Sequence, residues 1–130
     1  MYKIERKTTG YLLTFEGFVD RAEMDRWHTD SQTALTAERE SAFCVIVDMR
    51  NLKPLPPDAQ ARMVEGQQLY KKRGMNRSSV IVNSSVTASQ FRRLAKDSGI
   101  YQWERYFDGS VAGVMQKAIA WGRDAQDPDA

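Results

Sequence analysis

One apolar run, residues 43–47, restricts the fold of this chain more than any other segment. Charged residues precede it and Asp48 ends it, which is typical of a strand buried on both faces of a sheet. Pro54, Pro56 and Pro57 follow shortly afterwards. Pro57 suits the first turn of a helix, because its missing N–H would have no partner there. The segment therefore predicts a central parallel strand, a stiff loop and a helix, as in a mixed α/β domain.

Elements of the same kind precede this strand. Residues 2–7 and 11–18 alternate apolar and polar positions around a turn, which predicts a β-hairpin. Asp20 and Glu23 have the spacing of a helix cap, so a helix is expected to begin at Asp20. Its apolar stripe is formed by Met24, Trp27, Ser31 and Leu35.

Further strand and helix signals alternate after the central strand. They predict helices over residues 57–73, 87–98 and 111–121, and strands over residues 78–83 and 103–107. The order ββαβαβαβα predicts a mixed sheet of about five strands, with about four helices packed mainly on one face. One domain is expected over residues 1–122, followed by a flexible tail over residues 123–130.

The charge balance argues against a dedicated nucleic-acid binder, because 19 basic and 17 acidic side chains leave a net charge of only +2. The interval between Glu65 and Asp97 nevertheless contains only basic charges, and we interpret it as a solvated basic face. These residues are Lys71, Lys72, Arg73, Arg77, Arg92, Arg93 and Lys96.

The chain reads as a cytoplasmic protein. It contains neither a signal segment nor an apolar run of the ~18 residues that a membrane span needs. Its single cysteine, Cys44, lies inside the central apolar run and cannot form an intrachain disulfide. We therefore expect neither nucleic acid nor membrane among its partners.

No motif in the chain indicates a reaction, a cofactor or a metal site. Phosphate-binding glycine loops, paired metal ligands and a serine nucleophile elbow are all missing from the sequence. His28 is the only histidine, so an imidazole on the helix surface or partly packed against the core is the expected role. Asp48 stands at the end of the central strand, where a carboxylate either serves function or bonds the backbone of a turn. An enzyme using Asp48 is the least favoured hypothesis.

Three hydroxyl residues open the helix that follows the second buried strand: Ser84, Ser85 and Thr87. Unpaired N–H groups and the helix dipole favour an anion at such a position. Ordinary capping explains the same residues, because serine and threonine are preferred there in any protein. Both interpretations stay open at this stage.

The order of elements resembles that of the STAS domains, and more narrowly their SpoIIAA-like relatives. The resemblance rests on residues 11–18 leading into the Asp20 helix, on residues 45–48 with their loop and helix, and on residues 105–108 followed by residues 118–121. It extends over residues 2–122. It implies the fold of bacterial anti-sigma-factor antagonists.

In that family a serine or threonine usually begins the helix after the central strand, and a partner kinase phosphorylates it. This chain departs from the pattern, since no serine or threonine lies between Asp48 and Pro57. The expected hydroxyl position falls near Pro54. The resemblance therefore implies a protein-binding surface without the usual phosphorylation switch, for which Ser84, Ser85 and Thr87 are a substitute hypothesis.

The leading hypothesis is a non-enzymatic regulatory or scaffolding module that binds a protein partner through the loop after the central strand. The residues expected to carry it are Asp48, Arg50, Leu52, Lys53, Leu55 and Asp58. The alternative is a carrier of a lipid or metabolite in a cavity lined by Trp27, Tyr70, Trp103, Tyr106, Phe107 and Trp121. A homodimer is also open to this chain, because both edge strands are available for pairing.

Overall fold

The computed structural model describes residues 1–130, and its elements follow the predicted order. The strands are β1 (Tyr2–Arg6), β2 (Gly10–Gly17), β3 (Phe43–Leu52), β4 (Met75–Val82) and β5 (Glu104–Asp108). The helices are α1 (Arg21–Thr36), α2 (Pro57–Arg73), α3 (Ser85–Ser98) and α4 (Val114–Asp124), and a 3₁₀ turn at Tyr101–Trp103 precedes β5. The predicted hairpin, five strands and four helices are confirmed.

The five strands form one sheet in the order β1-β2-β3-β4-β5. β1 pairs with β2 antiparallel, whereas β2, β3, β4 and β5 are parallel to one another. The central apolar run lies in β3, the middle strand, as predicted. Because these four strands are parallel, the loops that follow them all meet at one edge of the sheet, which we call the carboxyl edge.

Helices cover the two faces of the sheet unequally. α1, α2 and α3 pack on one face over a core of 24 buried residues that includes Trp27, Met63 and Phe91. α4 packs alone on the other face, over a smaller cluster that contains Ile81 and Trp121. The prediction of helices mainly on one face is therefore confirmed.

Trp27 of α1 is the largest side chain of the main core. Its ring stacks on Tyr70 of α2 at 5.9 Å between centroids and meets Phe15 of β2 edge-on at 5.4 Å. A Cβ on Gly66 would lie 2.1 Å from the Trp27 ring, so only glycine lets α2 approach α1 this closely. The stripe predicted for α1 is buried as expected.

Several predicted boundaries are wrong, and one of them is the start of β4, which begins at Met75 and not at residue 78. β3 does not end at Asp48 but continues to Leu52, because Asp48 and Arg50 pair with each other on one face while Met49 stays buried on the other. α3 begins at Ser85, two residues before the predicted start at residue 87, and Ser84 caps it. α4 begins three residues later than predicted, at Val114, which leaves Val111 in the preceding loop.

The C-terminal segment starts with the end of α4, which extends to Asp124. Beyond it, Asp127 accepts two hydrogen bonds of 2.9 Å from the Arg105 guanidinium of β5. This ion pair connects the last residues to the edge of the sheet. The flexibility expected for residues 123–130 stays a prediction.

Candidate functional site

The carboxyl edge carries three exposed apolar side chains, each in a different loop or helix start. Phe18 follows β2, Val86 lies in the first turn of α3, and Val111 follows β5; 62%, 62% and 40% of their respective surfaces are exposed. Lys53 and Pro54, in the loop after β3, are exposed between them. We call these five residues the carboxyl-edge surface.

Hydrogen bonds join the loops of this surface to one another. The Lys53 N–H donates to the Gly17 carbonyl at 3.0 Å, which places Lys53 beside Phe18. The Leu55 N–H donates to the Gln90 side chain of α3 at 2.9 Å, and the Gln90 amide returns a bond of 3.1 Å to the Leu55 carbonyl. The loop after β3 is therefore held on both sides.

Leu52 and Leu55 do not face solvent, contrary to the expectation that they contact a partner. Their exposed fractions are 6% and 3%, and both belong to the main core. A β-bulge after Asp48 inserts one extra residue into β3, which turns Leu52 to the core side and away from the side of Asp48 and Arg50, and the bonds to Gln90 hold Leu55 beneath the loop. The two leucines fix the position of Lys53 and Pro54, whose side chains are exposed.

Asp48 and Arg50 form a two-pronged salt bridge on the α4 side of β3. The Arg50 Nε and Nη2 atoms donate to the two Asp48 oxygens at 3.0 and 2.8 Å. Burial opposes ionisation of Asp48, but the bonds from the Arg50 side chain and backbone outweigh it and hold the pKa of the carboxyl below its ordinary value. A general base working near neutral pH needs a raised pKa, so this geometry does not favour an enzyme using Asp48.

Asp58 lies in the first turn of α2, where its carboxylate accepts a 2.9 Å bond from the Ala59 N–H. A negative charge at a helix N-terminus is stabilising, which gives Asp58 a structural role. Its side chain stays exposed. The prediction that Asp58 contacts a partner is compatible with this position and stays a prediction.

The three hydroxyl residues before and within α3 have different environments. Ser84 accepts a 3.3 Å bond from the Thr87 N–H, and Ser85 is exposed beside it. Thr87 is only 1% exposed, so it is inaccessible to a kinase or to a free anion. Ser84 and Ser85 line a cleft of about 340 Å³ together with Arg92, whose guanidinium lies 4.6 Å from the Tyr106 ring.

The basic interval does not form one continuous basic face. Arg73 donates to the carbonyls of Leu35, Glu38 and Glu40 at the end of α1, and Arg77 donates to those of Trp121, Gly122 and Arg123 at the end of α4. Cations at helix C-termini compensate the unpaired carbonyls and the dipole. These two arginines therefore stabilise helices, while Arg92 remains at the carboxyl edge.

Only two of the six aromatic residues proposed for a ligand cavity line an internal space. Trp27 and Tyr70 border a cavity of about 30 Å³ between the helices and the sheet. This volume holds about one water molecule, so a lipid-sized ligand would require the core to open. The other four aromatic residues proposed for the cavity do not line it; they are Trp103, Tyr106, Phe107 and Trp121.

The same cavity is bordered by a buried acid that the sequence did not single out. Glu104 of β5 accepts from the Ser78 and Tyr106 hydroxyls at 2.8 and 2.5 Å, without a cation in contact. Burial raises the pKa of Glu104 to about 7. The only indication of this site in the sequence is that Glu104 and Tyr106 are two residues apart, which places both side chains on the face of the sheet covered by α1, α2 and α3.

Neither a metal cluster nor a membrane helix is found in the structure. No three His, Cys, Asp or Glu side chains are grouped so that they could hold a metal ion. His28 is half-buried on α1, and burial together with the nearby Arg62 lowers its pKa. None of the helices combines the length and the apolar character needed to cross a membrane.

Comparison with known proteins bears on the fold. No protein-family model matches the chain, and no match was found among curated proteins. The solved structure of an uncharacterised protein from Shewanella loihica PV-4, described as a DUF3478 family member with a SpoIIAA-like fold, matches 94% of this chain and 92% of its own. The TM-score is 0.61 at 14% sequence identity. The SpoIIAA-like fold implied by the sequence is thereby confirmed.

Proposed function

We propose that this protein is a non-enzymatic regulatory or scaffolding module that binds a protein partner through the carboxyl-edge surface. The observation that carries the proposal is the exposure of Phe18, Val86 and Val111 at one edge of the sheet. Large apolar side chains grouped on a surface are typical of protein-binding sites. Lys53 supplies positive charge beside Phe18, which orients a partner during encounter.

Rigidity of the loop after β3 supports the same proposal. Leu52 and Leu55 are fixed in the core, and Pro54 and Pro56 restrict the backbone between them and α2. A surface that is already ordered loses little conformational entropy on binding. Because the loop lacks a hydroxyl residue, we propose constitutive recognition at this point, without control by phosphorylation there.

Ser84 and Ser85 are accessible hydroxyls at the same edge. A phosphate on Ser85 would lie at the N-terminus of α3, which favours negative charge, and in a cleft that both Arg92 and Asp108 line. It would also lie next to Val86 in the carboxyl-edge surface. We propose these two serines as the positions where a modification would change partner binding.

A capture experiment tests the proposed surface. The variant Phe18→Asp/Val86→Asp places two charges on it without touching the core, whereas aspartate at Leu52 or Leu55 would unfold the protein and test nothing about binding. Tyr101→Asp is the matched control, because Tyr101 is also an exposed aromatic residue but lies before β5. Each chain is immobilised and exposed to lysate of the source organism, and bound proteins are quantified by mass spectrometry.

We expect at least one protein to be retained by the wild type and by Tyr101→Asp, and to fall roughly tenfold or more with the double variant, the loss typical of a disrupted hot spot. Ser85→Glu, included in the same series, should lower retention and Ser85→Ala should not. Equal retention by the folded double variant and the wild type would refute the proposed surface.

A further inference from the structure

The outward side of β1 has a free row of backbone hydrogen-bonding groups. The Glu16 N–H donates to the Met1 carbonyl and the Lys7 N–H donates to the Gly10 carbonyl, which fixes the pairing of odd-numbered residues with β2. In an antiparallel ladder the alternate residues point the other way. The N–H and C=O groups of Tyr2, Ile4 and Arg6 therefore face away from the sheet.

The side chains of β1 are self-complementary in one register. If a second copy of β1 pairs antiparallel with Ile4 opposite Ile4, then Lys3 of each copy lies opposite Glu5 of the other. Tyr2 lies opposite Arg6 on the helix-covered side. Lys3 is exposed and has no ion pair within its own chain, while Glu5 has only a 3.5 Å contact with Lys7.

The neighbouring registers are disfavoured by charge. If the antiparallel pairing is centred on residue 3, Lys3 lies opposite Lys3, and if it is centred on residue 5, Glu5 lies opposite Glu5. Like charges directly opposite each other are destabilising. A parallel in-register pair also juxtaposes identical charges. The pattern of β1 thus selects one antiparallel arrangement and opposes the others.

The helix-covered side of β1 leaves space beside the strand. The side chains of Tyr2 and Arg6 are drawn toward α1, where Tyr2 donates to Asp30 and Arg6 donates to Glu38 at 2.7 and 3.1 Å. A groove of about 420 Å³ next to them is bordered by Ile4 and by the small Ala34 of α1. No side chain of α1 therefore stands across the outward groups of β1.

We propose that β1 pairs with β1 of a second copy of this chain, centred on Ile4, so that two five-stranded sheets join into one of ten strands. Six outward N–H groups, three from each copy, find acceptors in this arrangement. Two short strands bury less than the roughly 1,200 Å² of a standard stable interface. The dimer is therefore reversible and depends on protein concentration. This pairing leaves the carboxyl-edge surface free, so the proposal of a dimer does not depend on the proposed function.

Charge exchange tests this dimer. Wild type, Lys3→Glu, Glu5→Lys, the double variant Lys3→Glu/Glu5→Lys, and an equimolar mixture of the two single variants are compared by sedimentation velocity from micromolar to millimolar concentration. Circular dichroism confirms that each variant is folded. Both positions lie on the open side of a surface strand, so the fold should tolerate every exchange.

We expect a monomer–dimer equilibrium for the wild type and a dissociation constant at least tenfold higher for each single variant, which places like charges opposite each other. The double variant and the mixture should recover the wild-type value, because opposite charges face again in both. A wild type that stays monomeric overturns the proposal. So do single variants that dimerise normally, or a mixture that fails to recover.

Discussion

The two edge strands of this sheet differ in whether side chains cover their outward backbone groups. At β5 the Arg105 guanidinium donates to the carbonyls of Gln102 and Glu104 and also holds Asp127 of the C-terminal segment. At β1 the Tyr2 and Arg6 side chains bond inward, to Asp30 of α1 and to Glu38 just after it, and the outward backbone groups stay open. An edge strand can therefore be closed by its own side chains or left ready for pairing, and this chain does one at each end.

The acids of the two edges also differ, in a way that gives them opposite pH dependence. Glu104 is buried in β5 without a cation, and its pKa is raised to about 7. Glu38, which accepts from Arg6 of β1 and from Tyr11, has its pKa lowered to about 2, chiefly by the bonds from Arg6. Ionisation thus costs stability at one edge and contributes stability at the other.

The largest effect is expected from removing the aromatic anchor beneath β5. Trp121 is 7% exposed, donates from Nε1 to the Ser78 carbonyl at 3.0 Å, and packs in the cluster under α4. Trp121→Ala should lower the free energy of unfolding by about 3–5 kcal/mol, as large-to-small core substitutions do. Urea denaturation measures the change.

Tyr2→Ala is the matched substitution at the other edge. Tyr2 is only half-buried, so the expected loss is about 1 kcal/mol. If both variants lost the same amount, the contrast between an anchored β5 and an open β1 would be wrong.

A second, pH-dependent effect separates the two acids. The folded state holds a proton on Glu104 between pH 4.5, its ordinary pKa, and pH about 7. The contribution of the protonated acid is therefore complete below pH 4.5 and is lost as the pH rises through 7, by about 3 kcal/mol. Glu104→Gln stays neutral, so the difference in unfolding free energy between the wild type and this variant should change by that amount across the window.

Glu38→Gln is the control for the opposite sign. The contribution of Glu38 is present above pH 4.5 and is lost as the pH falls toward 2, so this variant should differ from the wild type in slope only in the acid range. Unfolding curves measured from pH 2 to 8 test both. Parallel profiles for the wild type and Glu104→Gln would show that Glu104 is ionised in the fold.

Periodicity predicted the fold well because each element has a clear apolar pattern. The stripe of α1 and the run at residues 43–47 are both buried as expected. The end of β3 was predicted too early because a charged residue after an apolar run usually marks the end of a buried strand. Asp48 and Arg50 instead neutralise each other on one face, and the strand continues past them. Hydrophobic patterning therefore defines elements better than it defines their ends.

The candidate site was harder to predict than the fold. Leu52 and Leu55 were expected at a surface, but the direction of their side chains depends on the β-bulge in β3 and on the bonds to Gln90, which is distant in sequence. Phe18, Val86 and Val111 gave no signal because exposure of a single apolar residue leaves no periodic trace. Only the parallel topology brings their loops to one edge.

The smallest effect on stability, and the most direct test of how β5 is closed, comes from Arg105→Ala. This variant loses the stacking of the guanidinium 4.3 Å from the Trp121 ring, on the order of 0.5–1 kcal/mol. It also frees Asp127 and uncovers the edge carbonyls. Amide hydrogen exchange of residues 125–130 should become faster, and self-association should appear that the Lys3→Glu exchange does not abolish.

Arg123→Ala removes the same charge from an ion pair that stays within α4, and it should leave both measurements unchanged. Unaltered exchange in Arg105→Ala would mean that β5 is protected by its packing on Trp121 alone, and that the C-terminal segment plays no part in closing this edge.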